Sequence, residues 1–65
     1  MNDIIAKQVK TAEDDIIVKE TLIGYLNSLK EGLDKKEKAE FDMKIEGLKR
    51  DIKFNQGYID YVSKL

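Results

Sequence analysis

Sixty-five residues allow one domain at most, and a chain this short buries only about 60% of the surface that its unfolded form exposes. The absence of Cys and His removes disulfides, thiol nucleophiles, imidazole bases and the usual zinc ligands. Oligomerisation or partner binding remains as the means of stabilising so small a scaffold. Twelve basic residues against thirteen acidic ones, net charge −1, argue against a general polyanion binder.

Read in chain order, the first half predicts one long helix, about residues 3–31. Asn2 or Asp3 can cap it by accepting a backbone N–H. Ile5, Val9, Ala12, Ile16, Ile23 and Leu26 recur at steps of three, four or seven, the period of one helix face. The aliphatic stem of Lys19 bridges the long step between Ile16 and Ile23 and lets its amine reach water. Val18, Leu22, Tyr25, Leu29 and Leu33 form a second periodic set, with Ile17 beside it. An alternative three-helix arrangement breaks this segment near Thr11, because Thr11 with Asp14 resembles a capping box and Glu13-Asp14-Asp15 resembles an acidic first turn.

Gly32-Leu33-Asp34 punctuates the chain, giving a turn at 32–34. Glycine suits the left-handed residue that closes many helices, and Gly32 is expected to take that role. Asp34 and Glu37 then form a D-x-x-E start for a second helix, about 35–63. In it Phe41, Ile45, Leu48, Ile52, Asn55, Ile59 and Val62 keep a four-three spacing, an a/d heptad pattern with one polar member. Glu40 with Lys44 and Glu46 with Arg50 are favourable i,i+4 pairs.

Folded antiparallel about the turn, the two series register. Ile5 meets the Val62 level, Ala12 meets Asn55, Ile16 meets Ile52, Ile23 meets Ile45 and Leu26 meets Phe41. The expected fold is therefore an all-α, antiparallel hairpin of two long helices in one domain, 1–65, each arm about 40 Å long at 1.5 Å per residue. The hairpin needs one apolar stripe per helix, and this chain has more. A broad apolar stripe on a surface helix faces something. A second copy is the expected partner, giving a homodimeric four-helix bundle. Ile16, Leu22, Ile23, Ile45, Leu48, Ile52 and Asn55 are the candidate self-association residues, with Asn55 setting register.

The chemistry-bearing patterns are few. The four glycines are isolated, so there is no phosphate-cradling loop, and Asp14-Asp15 lacks the ligand spacing of a calcium loop. Carboxylate pairs such as Glu37/Glu40 read as solvated surface. The chain is accordingly expected to be no enzyme, to use no cofactor or metal and to take no small-molecule substrate. Lys35, Lys36 and Lys38, and Lys49, Arg50 and Lys53, form two basic clusters. The second is the candidate contact of an alternative, nucleic-acid-binding reading, opposed by the interspersed Asp42, Glu46 and Asp51.

No apolar run exceeds three residues, as at Ile16-Ile17-Val18, so no membrane span or signal-peptide core is expected and a cytoplasmic location is. The terminal Ser63-Lys64-Leu65 matches a peroxisomal address, but Leu65 also extends the apolar series Tyr58, Val62, Leu65, and the helical use is preferred. The bias to Ile, Lys, Asp and Glu fits an AT-rich genome of bacterial or phage type. The layout is similar to that of small plasmid and phage regulators, a likeness of architecture that does not imply function.

The expected function is a small non-catalytic protein–protein interaction module, a regulator or inhibitor that docks on a partner protein through an apolar, tyrosine-rich helical surface. Tyr25, Phe54, Tyr58 and Tyr61 are the candidate contacts, because aromatic residues combine large contact area with, in Tyr, a polar tip. A purely structural oligomerisation module is the remaining alternative.

Overall fold

The computed structural model describes residues 3–65 and consists of two α-helices, α1 Asp3–Lys30 and α2 Lys35–Ser63, packed antiparallel. This is the all-α helical hairpin that the periodicity requires. At 28 and 29 residues the helices are about 42 Å long, and the molecule is a rod of 49 × 15 × 12 Å. There is no strand among the described residues.

α1 runs without a break, so the three-helix alternative is corrected. Thr11 starts no new helix: its hydroxyl donates to the Lys7 carbonyl of the preceding turn at 3.0 Å, the back-bonding by which a mid-helix threonine satisfies itself. The Asn2 cap lies outside the described residues, and Asp3 is the first residue of α1.

The turn closes differently from the expectation. Gly32 does not adopt the left-handed conformation; no described residue has positive φ. Leu33 N–H instead bonds the Lys30 carbonyl at 3.1 Å, a tight i+3 closure that needs only ordinary dihedrals. Asp34 then caps α2, its carboxylate accepting the Glu37 N–H at 2.9 Å.

The seam holds the two predicted series. Along α1, Ile5, Val9, Ile16, Lys19, Ile23 and Leu26 are half-buried and Ala12 is buried. Along α2, Phe41, Leu48, Ile52, Asn55 and Ile59 are half-buried and Ile45 and Val62 are buried. Only Ala12, Ile45 and Val62 form a buried core among the described residues, and no side chain is fully enclosed. Two helices in contact along one stripe shield each other's seam from one side, so most seam residues keep an open edge.

Candidate functional site

The middle of the seam is polar. Asp15 Oδ2 accepts from Lys19 Nζ at 2.7 Å and from Asn55 Nδ2 at 2.7 Å. Lys19 Nζ also lies 3.3 Å from Asp51 Oδ2. The hydrogen bonds from Lys19, then Asn55, hold the Asp15 carboxyl below its ordinary value, and the bond to Asp15 holds Lys19 above its own. Asn55 thus takes its expected seam place beside Ala12, and its partner is Asp15. That partner was missed in the sequence, where Asp15 reads as part of an acidic first turn. The i,i+4 spacing of Asp15 and Lys19 was the available signal. The ends of the hairpin carry further cross-links, with Tyr58 Oη donating to Gln8 Oε1 at 2.7 Å and the Lys30 ammonium paired with Asp42.

Most of the apolar residues that the seam leaves over gather on one side, Ile17 excepted. Thr11, Ala12 and Asp15 of α1 line a groove with Phe54, Asn55 and Tyr58 of α2. Leu26 lines a second groove with Gly47, Leu48 and Arg50. Val18, Leu22, Tyr25 and Leu29 follow Thr11 by helical steps of seven, four, three and four, so they share its face. Met43, Gly47, Arg50, Phe54 and Tyr61 are likewise in phase on α2. The two surplus stripes therefore form one front face spanning both helices. Met43 is 74% exposed, Phe54 77%, Tyr61 65% and Tyr25 60%. On the back lie exposed Glu13 and Glu20 of α1 and Lys38, Lys49 and Lys53 of α2. Ile17, also exposed, sits off the front face.

The predicted site residues divide along this geometry. Tyr25, Phe54 and Tyr61 are exposed on the front face, whereas Tyr58 is half-buried and its hydroxyl is engaged by Gln8. Of the self-association set, Leu22 is exposed on the front. Ile16, Ile23, Ile45, Leu48, Ile52 and Asn55 lie in the hairpin's own seam, where their packing partners are in the same chain. The basic triad is split: Lys49 pairs with Glu46 at 3.8 Å, Lys53 is exposed on the back, and Arg50 lines the front groove. Arg50 makes no ion pair among the described residues, so the expected Glu46–Arg50 pair is replaced by Glu46–Lys49. Lys44, expected to pair with Glu40, sits over the Phe41 ring at 5.5 Å. Leu65 is 81% exposed and does not extend the seam, because α2 ends at Ser63.

No group of Asp and Glu able to hold a metal ion occurs among the described residues. No described helix is long and apolar enough to cross a membrane. No family model matches the chain, and neither a curated protein nor a solved structure matches it.

Proposed function

We propose that this protein is a non-catalytic protein–protein interaction module. Its front face seats a second copy in a four-helix bundle, and in the single chain the same face, with Tyr25, Phe54 and Tyr61, is the surface through which a small regulator or inhibitor docks on a partner protein. The observation that carries this reading is the one-sidedness of the apolar surface. Val18, Leu22, Tyr25 and Leu29 on α1 and Met43, Phe54 and Tyr61 on α2 are all exposed in the single chain, in helical phase with Thr11 and Phe54, which line one groove between the helices. Exposed apolar side chains scattered singly are ordinary; a contiguous stripe across two helices marks an interaction surface.

Molar mass by light scattering, over a wide concentration range, tests the reading. The expected mass is twice the 7.5 kDa chain. Leu22→Glu, on the front, should return it to one chain, and Lys49→Glu, on the back, should leave it unchanged. A wild-type chain that stays single at every concentration overturns self-association. In that case Tyr25→Ala and Tyr61→Ala, measured against a captured partner, decide whether the face docks on a different protein.

A further inference from the structure

Each helix carries a glycine in its interior at the same height of the rod. Lys19 pairs with Asp51 and Lys30 with Asp42, so Gly24 of α1 and Gly47 of α2 stand level with each other between these two links. Glycine inside a helix is destabilising against alanine, because it orders more backbone freedom and has no side chain to pack. Neither position has a backbone reason for glycine, since no described residue has positive φ. Neither has a packing reason within the chain. A Cβ at Gly24 would meet nothing within 4 Å, and a Cβ at Gly47 would meet only Nη2 of Arg50, at 4.0 Å.

The two glycines differ in the face they occupy. Gly24 follows Glu13 and Glu20 by eleven and four residues, so it lies on the back. Gly47 lies on the front, where it lines the groove with Leu26, Leu48, Arg50 and Asp51. Met43 before it and Phe54 after it are exposed large side chains. Gly47 is therefore a notch in a raised stripe, a place where a neighbouring helix can come close to the α2 backbone.

The same face supplies what a notch takes. Leu22, Tyr25, Leu29, Met43 and Phe54 all stand exposed on it. A surface that holds both the projections and the recess is self-complementary, which is what a twofold pair demands of its shared patch. The groove charges balance, Lys44 and Arg50 against Asp15 and Asp51, and the chain's net charge is −1, so a copy meets little net repulsion. The area fits as well. A face 49 Å long and 15 Å wide offers about 700 Å² per chain, close to the roughly 800 Å² per partner of a standard specific interface.

We infer that the occupant of the front face is a second copy of this chain and that Gly47 is the point of closest approach, a notch in α2 that receives a large apolar side chain from the front face of the partner subunit. The inference rests on the self-association reading and adds to it the residue that sets the fit.

Alanine at the two glycines separates the interface from the helix. Gly24→Ala and Gly47→Ala gain the same helix propensity, and neither added methyl clashes within its own chain. Only the methyl at Gly47 enters the contact, and twofold symmetry places it there twice. The readout is the dimer dissociation constant by light scattering over a dilution series, with circular dichroism to compare helicity. At equal helicity, Gly47→Ala should dissociate about tenfold more readily than Gly24→Ala, because an added methyl overfills a packed contact. Gly47→Leu should dissociate more readily still. Equal dissociation constants for the two alanine variants, with a two-chain mass, overturn the notch and leave self-association standing. A wild-type chain that stays single at every concentration overturns both and leaves the face to a different protein.

Discussion

Asp15 Oδ2 accepts hydrogen bonds from Lys19 and from Asn55 at 2.7 Å each, joining two helices at residues forty positions apart. Both donors favour the ionised carboxylate, Lys19 first, and so lower the Asp15 pKa. The sign of the resulting pH dependence follows. A depressed carboxyl contributes stability that is present above the ordinary Asp value, about 3.9, and is lost as pH falls through the lower folded value. Lys19 is shifted upward, so its contribution is complete below the ordinary Lys value, about 10.4, and is lost as pH rises through the higher folded value. Thermal melts of the wild type and Asp15→Asn should differ in the neutral range, and the gap should close as pH falls below about 4. A gap independent of pH would show that the carboxylate charge contributes nothing. The same cluster shows where sequence reading stops at this scale. Asn55 stands out as the polar member of a regular apolar series, so its place in the seam is legible. Asp15 does not stand out, because an aspartate in a run of three acidic residues carries no sign of the amide that it meets.

At the scale of the helices, the turn and the cap make opposite demands on single substitutions. The Asp34 carboxylate accepts the Glu37 N–H, one of the donors that the first turn of α2 leaves without a carbonyl. Asp34→Ala should therefore destabilise the protein by about 1 kcal/mol. Gly32 has no positive φ and faces open space. Gly32→Ala should accordingly stabilise the protein by about 0.4–1 kcal/mol, by narrowing the unfolded ensemble. Chemical denaturation of the pair, with opposite displacements of the midpoint, checks both, and a destabilised Gly32→Ala would restore the left-handed turn that the sequence suggests. α2 was readable because its seven seam positions follow one unbroken spacing and Asp34 marks its start. α1 offered two periodic sets of similar size. Periodicity reports that a stripe is covered and is silent on what covers it. Registering α1 against the regular α2 series is what assigns Ile16 and Ile23 to the seam and leaves Leu22 and Tyr25 outside, and the structure keeps that division.

The whole molecule is extended for its mass. Its radius of gyration is 15.1 Å, against about 11 Å for a compact chain of this length. Its accessible surface is 5221 Å², against about 4,200 Å² expected from the mass. The excess is the geometric consequence of two helices with no third element on top. With Ala12, Ile45 and Val62 as its buried core, the hairpin has little hydrophobic burial to set against the chain entropy of ordering two long helices. On the proposed self-association, folding and association are one process. The melting temperature should rise with protein concentration, because a dimer that unfolds to two free chains gains about 1.4 kcal/mol for each tenfold increase, worth about 5 °C at this size. Leu22→Glu should lower the midpoint at low concentration and converge on the wild type as concentration rises, since Leu22 is exposed on the front face and outside the seam. A melting temperature unchanged between micromolar and millimolar protein would mean that the hairpin stands on its seam alone. The front face would then be free at all times, and its aromatic rim would be exposed to a different protein.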